Sequence, residues 1–186
     1  MTPNAVQALA LHKKYGSNEH VVSHCMACSR ISVILAEAAG RNGRPVDAKI
    51  ISAGALLHDI GRTRTQLVDH GYVGAEILQK EGVDASVVEI VRRHVGAGIS
   101  AEEARTLKFP PGDYIPRTAE QKIVCFVDKM LDGEKARPFE EEAKRFVRKG
   151  HDLERLRKLR DDVDETVGMD AEALVLSEAS QTPRRI

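Results

Sequence analysis

An ionisable side chain stands on the inward stripe of helix after helix, and that pattern constrains this chain more than any other feature. A helix that packs on a core places apolar residues at i, i+3, i+4 and i+7. On a predicted helix over 48–58 that stripe reads Ile51, Gly54, Ala55, His58. Over 85–95 it reads Val87, Val88, Val91, His94, Val95. After Thr118 it reads Glu120, Val124, Val127, Asp128, Leu131, and on the long early helix His24, Cys28, Ile31, Leu35. His70 opens a fifth helix in line with Gly74 and Ile77. Any one of these histidines reads as a lone buried group satisfied by a neighbour. The set does not, because a buried carboxylate is costly unless paired or bound to metal. Asp59 and Asp128 with His24, His58, His70 and His94 satisfy one another around a cation. Imidazole plus carboxylate is a ligand set for Zn, Fe, Mn, Co or Ni.

The local signals between these positions are helical, and the predicted class is all-α. Asp47, Asp84 and Ser100 stand as N-caps, and Thr118-Ala-Glu-Gln121 is a capping box. Gly40 and Gly82 stand where the helices Glu19 to Ala39 and Tyr72 to Lys80 stop, and the segment Phe109 to Pro116, with adjacent prolines, cannot be helical. No strand run, hairpin turn or repeat stands out. The tail Thr182 to Ile186 is expected to fray.

Lys+Arg and Asp+Glu are both 28 in 186 residues, so there is no basic excess to support general nucleic-acid binding. The longest apolar stretch, Ile31 to Ala39, is interrupted by Ser32 and Glu37 and falls short of a membrane span. Three cysteines give no disulfide framework, and with no secretory leader the expected compartment is the cytoplasm. Cys25 and Cys28 form a C-x-x-C in mid-helix, read as small packing residues.

His58-Asp59 is the most informative pair. Neighbouring helical side chains diverge by about 100°, so both face one ion only where the helix ends, and Gly61 supplies that ending. The order His24 … His58-Asp59 … Asp128, with His58-Asp59-Ile60-Gly61-Arg62, resembles the HD superfamily of metal-dependent phosphohydrolases. His70 in "DHGYVGAEIL" and His94 in "EIVRRHVGAG" fill the two extra slots of its binuclear subset, H … HD … H … H … D. The resemblance runs from about His20 to Leu131. It implies an HD-domain helical bundle over 1–135, with residues 136–186 as additional charged C-terminal helices packing on it. It implies that His24, His58, Asp59 and Asp128 hold one metal, that Asp59 bridges, and that His70 and His94 complete a second site. One or two divalent ions are expected, and water activated at the metal serves as nucleophile.

Arg62 is the first candidate for binding a substrate phosphate, with Arg64, Arg93 and Lys129 behind it; Lys129 reads more simply as a surface lysine. Glu120, on the Asp128 stripe, is a candidate proton donor or orienting group, or else a capping carboxylate. The catalytic set is therefore Asp59, Arg62 and Glu120. His20 is expected at the surface or outside the ligand shell, and His12 and His151 have no identifiable partner. The loop Phe109 to Arg117 is either a rim over the site or an ordinary crossover.

The expected activity is metal-dependent hydrolysis of a nucleotide or related phosphorylated small molecule. Two other functions fit parts of the pattern. Myo-inositol oxygenase, a binuclear-iron enzyme, has a similar ligand order, and a non-catalytic HD module would sense nucleotide or RNA. Leu153, Leu156 and Leu159 offer a narrow apolar stripe to the domain or to a second subunit of a homo-oligomer.

Overall fold

The computed structural model describes residues 1–180; the expected fraying of the tail concerns residues outside that range. Ten helices occupy the described residues: α1 (Ala5–Tyr15), α2 (Glu19–Arg41), α3 (Ala48–Leu57), α4 (His70–Lys80), α5 (Ala85–Arg93), α6 (Ala101–Thr106), α7 (Ala119–Met130), α8 (Phe139–Arg148), α9 (Leu153–Val167) and α10 (Ala171–Ser180). A 3₁₀ turn, Ile60–Thr63, lies between α3 and α4. The class is all-α, as the capping signals predict. Asp47, Asp84, Ser100 and Thr118 each accept a backbone N–H in the first turn of their helix.

Three boundaries differ from the sequence reading. α2 runs through Gly40 to Arg41, and the left-handed turn comes at Gly43. α4 starts at His70 rather than Tyr72, and α5 stops at Arg93. A hairpin of two-residue strands, β1 (Leu131–Asp132) and β2 (Lys135–Ala136), follows α7. Strands of two residues carry no alternating pattern, so nothing in the sequence announces them.

α2 forms the axis. Its buried face, including Cys28, Ile31 and Leu35, meets Ile51 of α3, Ile123 and Val127 of α7, and Phe146, Leu156, Leu159 and Val163 of α8 and α9 in one core. A second core of Ala8, Leu57, Ile60, Leu78, Val87 and Val91 ties α1, α3, α4 and α5 together. By length and composition α2 could cross a bilayer, which the break at Ser32 and Glu37 did not suggest; here half of that stretch is buried among the other helices. Cys25 and Cys28 are buried in this packing, with no disulfide.

Two glycines set the spacing around the site. A Cβ at Gly61 would run into the His70 carbonyl oxygen and the Gly74 backbone nitrogen, so only glycine lets the 3₁₀ turn lie against the start of α4. At Gly54 a Cβ would sit 2.7 Å from the Ile90 side chain, so glycine brings α3 close to α5. These contacts bring the ends of α3, α4 and α5 to one place.

Candidate metal centre

Each metal-ligand candidate comes to the centre from a helix or a helix end. His24 lies on α2 and Asp128 on α7. His58 is the last residue in helical conformation after α3, and Asp59 (φ −99°, ψ 12°) has already left it. The break lets adjacent residues face one point, as the His-Asp-Ile-Gly sequence predicts. His70 opens α4 and His94 closes α5. His58, Asp59, His70 and His94 are buried, and His24 and Asp128 nearly so.

The four rings are oriented the same way. Nδ1 of His58, His70 and His94 each bonds the backbone carbonyl three residues earlier, Ala55 at 2.8 Å, Leu67 at 2.7 Å and Val91 at 2.7 Å. Nδ1 of His24 bonds the Gly133 carbonyl in the hairpin, at 2.8 Å. A carbonyl only accepts, so Nδ1 carries a proton in each ring, and in the neutral form the lone pair is left on Nε2. All four Nε2 atoms point inward. His24 Nε2 is 3.0 Å and His58 Nε2 3.4 Å from Asp128 Oδ1. His70 Nε2 is 3.3 Å and His94 Nε2 3.5 Å from Asp59 Oδ1, while Asp59 Oδ2 faces His58 Nε2 at 3.8 Å. The two oxygens of Asp59 thus look toward different histidines.

Lone pairs aimed at carboxylate oxygens repel unless a proton or a metal ion stands between them. Against burial, the Asp128 carboxylate raises the His24 imidazole, and Cys25 with Asp59 and Asp128 raises that of His58, so this centre favours positive charge. His58 Nε2 and Asp59 Oδ1 are fully buried and make no hydrogen bond, which is costly for groups of this polarity. Three sets of donor atoms lie within 4.8 Å of one another: His24, His58 and Asp59; His58, His94 and Asp128; and Asp59, His70 and His94. Donor chemistry, orphaned atoms and spacing fit a divalent transition-metal ion. Burial would raise the carboxyls of Asp59 and Asp128. His58 and the other imidazoles around Asp59, and Lys129 with His58 beside Asp128, hold both well below the usual carboxylate range. Burial pushes the His94 imidazole down to about 4, so it is neutral at physiological pH, the form that ligates metal.

Two basic side chains border this cluster. Arg62 Nε holds Asp59 Oδ2 at 2.7 Å and its terminal nitrogen lies 3.3 Å from His70 Nε2. Lys129 is not the surface lysine its neighbouring position suggests. Its flexible stem turns back so that Nζ meets Asp128 Oδ2 at 2.6 Å, and that carboxylate outweighs burial to hold the ammonium above its usual range. The sequence predicts a charged helix at α8 but not its part in the site: Glu142, Arg145 and Lys149 line the same cleft of about 380 Å³, together with His20. The only available signal was their spacing, 142, 145 and 149, on one face of a charged helix.

Other candidates are elsewhere. Glu120 lies eight residues before Asp128, about 12 Å along the helix. Its carboxylate accepts from the Asp47 backbone N–H at 3.3 Å and lines a different cavity, so it is neither proton donor nor orienting group here. Arg93 bonds the Asp113 and Ile115 carbonyls and Glu89, and Arg64 lies over the Tyr15 ring. The Phe109 to Arg117 loop is no rim: Phe109 and Tyr114 pack with Tyr72, and its residues border a separate cavity beside Arg92 and Arg93. His12 is buried, bonds Ser17 just after α1 and ties α1 to α3 through the Leu56 carbonyl, and the His151 ring lies tilted against Phe146.

The family model of the HD domain matches residues 21–133, which span all six candidate ligands. The chain belongs to the HD domain family. Among curated relatives, an uncharacterised protein of Methanocaldococcus jannaschii is 44% identical over 143 residues, covering 77% of this chain and 84% of that one. A tRNA (cytidine(56)-2′-O)-methyltransferase of Thermoplasma volcanium is 36% identical over 174 residues, covering 92% of this chain and 50% of that one. The chain thus spans about half the length of the methyltransferase. Among solved structures, the HD domain of the L. monocytogenes phosphodiesterase PgpH, in complex with cyclic-di-AMP, superposes with a TM-score of 0.61. It covers 95% of this chain and 98% of that one at 16% identity, which shows the shared helical fold.

Proposed function

We propose that this chain is a metal-dependent phosphohydrolase that cleaves a phosphoester or phosphoanhydride bond in a nucleotide-like small molecule. The observation that carries the reading is the convergence of four Nε2 atoms on two buried carboxylates, with His58 Nε2 and Asp59 Oδ1 left without hydrogen bonds. His24, His58, Asp59, His70, His94 and Asp128 would hold one or two ions of Fe, Mn, Zn, Co or Ni. The pairing of Asp59 Oδ1 with His70 and His94, and of Oδ2 with the His58 side, favours two, with Asp59 shared between them. A bound divalent ion lowers the pKa of water toward neutrality and polarises a phosphoryl oxygen.

The chain's own residues would do the rest. Arg62 fixes Asp59 through Nε, reaches His70 through one terminal nitrogen, and keeps the hydrogens of the other for a phosphate oxygen. Lys129 holds Asp128 in place and adds positive charge where the phosphoryl group gathers negative charge. Arg145 and Lys149 widen the cationic side of the cleft.

The HD domain of PgpH, a phosphodiesterase seen with a cyclic dinucleotide, lends support to a nucleotide-like ligand. The methyltransferase relative is about twice as long as the matched stretch, so its activity is not carried over. Reconstitution of metal-free protein with each metal in turn, followed by a phosphate-release screen over nucleotides, tests the proposal. Turnover with at least one metal, abolished in Asp59→Ala, is expected; no turnover with any metal across the screen contradicts it.

A further inference from the structure

The metal cleft has a neighbour. A second cavity, of about 520 Å³, lies between α6, the end of α8 and the loop that follows His94. Val95, Ile99, Leu107 and Phe146 give it apolar walls. The His151 ring rests against Phe146 with centroids 4.9 Å apart, and Glu102 and Asp152 add hydrogen-bond acceptors. Arg155 is not free to bind a ligand fully, because it is held by the Gly98 carbonyl at 2.9 Å and Glu103 at 2.7 Å. Leu107, 43% exposed, stands at the mouth.

Lys149 lines both cavities. Its charge is also singular. In the metal cleft Arg62 pairs with Asp59, Lys129 with Asp128 and Arg145 with Glu142 at 3.2 Å. Among the described residues, Lys149 is the lysine or arginine of that cleft with no carboxylate partner. An ammonium with no carboxylate within ion-pair distance therefore stands where the cleft of candidate metal ligands meets an apolar, aromatic-walled one. An apolar pocket with a few convergent polar groups suits a flat heterocycle, whose faces stack and whose edges hydrogen-bond.

We propose that the second cavity receives the base of a nucleoside phosphate whose phosphate lies in the metal cleft, with Lys149 binding the phosphate between them. This rests on the phosphohydrolase reading and extends it to the chemical group that selects the substrate. Phe146, Lys149 and His151 lie beyond the 21–133 match to the family, so the chain's C-terminal part supplies one wall of this subsite and residues 95–107 the other. The base could belong to a free nucleotide or to the end of a nucleic-acid strand; both present a nucleoside phosphate.

Calorimetric titration of the full-length, metal-loaded protein tests this with adenosine 5′-monophosphate, ribose 5-phosphate and inorganic phosphate. The expected result is binding of the nucleotide about tenfold or more tighter than the sugar phosphate. Leu107→Trp fills the cavity from its exposed mouth and should remove that preference while leaving ribose 5-phosphate binding unchanged. Lys149→Ala should weaken all three ligands by a similar factor, with helical content as the check on folding. Equal affinity for nucleotide and sugar phosphate in the wild type, or equal losses for both in Leu107→Trp, overturns the proposal. A 5′-phosphorylated trinucleotide separates the sources: tighter binding than the mononucleotide means a strand end, weaker binding a free nucleotide. Phosphate release is followed in parallel, so preferential binding without turnover would sink the hydrolase reading and keep the base subsite.

Discussion

His70 Nε2 lies 3.1 Å from His94 Nε2, and each ring already gives its Nδ1 proton to a backbone carbonyl. With Nδ1 protonated, the neutral form of either ring has no proton on Nε2 for the other, so the pair calls for positive charge beside it; Arg62 supplies some at 3.3 Å from His70 Nε2, and a metal ion would supply more. Asp59 Oδ1 is the oxygen that faces them. His24, on the other side, faces Asp128 instead. This division predicts separable metal contents. His70→Ala and His24→Ala should each lower the metal bound per chain by about one ion relative to wild type, with the fold retained. Metal analysis of the purified variants checks this. Loss of all metal from both variants, or of none, would contradict two neighbouring sites.

Arg62 works through two nitrogens at once, toward Asp59 and toward His70. If Arg62 makes the proposed charge-assisted contact to the substrate phosphate, worth about 1.5–3 kcal/mol, Arg62→Ala should raise KM roughly 10- to 100-fold. Arg62→Lys keeps the charge but not the planar fork, and should recover only part of the loss. Steady-state kinetics on the best substrate of the phosphate-release screen decide it. Full recovery by lysine would mean that Arg62 acts as a point charge alone.

Much of the centre was legible before any coordinates, and the reason is physical. Burial forces polar groups into company, so His58, Asp128, His94 and His24 show themselves by occupying apolar stripes. Gly61 was legible as the end of a helix; that it also admits the His70 backbone was not, since that depends on a contact between two elements. Lys129 was misread because its backbone direction was taken for the destination of its ammonium, whereas four methylenes carry it back to Asp128. Glu120 failed for the opposite reason. Its stripe position was right, but stripe position says nothing about depth along the helix axis. Arg145 and Lys149 were hidden because α8 reads as a solvated charged helix whose basic end suits its own dipole.

The Gly61 contact makes a sharp stability prediction. Gly61→Ala places a methyl group against the His70 carbonyl and the Gly74 nitrogen, both backbone atoms that cannot rotate away. The chain should lose at least about 2 kcal/mol of stability, measured by urea denaturation, and bind metal more weakly because Asp59 and His70 are pushed apart. Unchanged stability would show that the 3₁₀ turn and α4 separate freely.

Glu142 gives the pH prediction. It is buried in the cleft wall and its carboxyl is raised above the ordinary carboxylate value, chiefly by burial. A raised folded pKa means that stability is greatest below the unfolded value, near 4.5, and is lost as pH rises through the folded value. Glu142→Gln cannot ionise and keeps an acceptor for Arg145. The variant should gain stability relative to wild type as pH rises from about 4.5, and the gain should level off above the folded pKa. Paired denaturation curves at pH 4.5 and 7 measure it. A difference that shrinks with rising pH would show that the ionised carboxylate stabilises the fold.

A cation shared by these imidazoles and carboxylates would satisfy the whole centre. Anomalous diffraction from crystals soaked in manganese is the direct measurement. One or two peaks are expected within about 2.0–2.3 Å of His58 Nε2, His94 Nε2 and the oxygens of Asp59 and Asp128, and they should vanish in Asp59→Ala. A soaked crystal with the same side-chain positions and no anomalous density among them would contradict it.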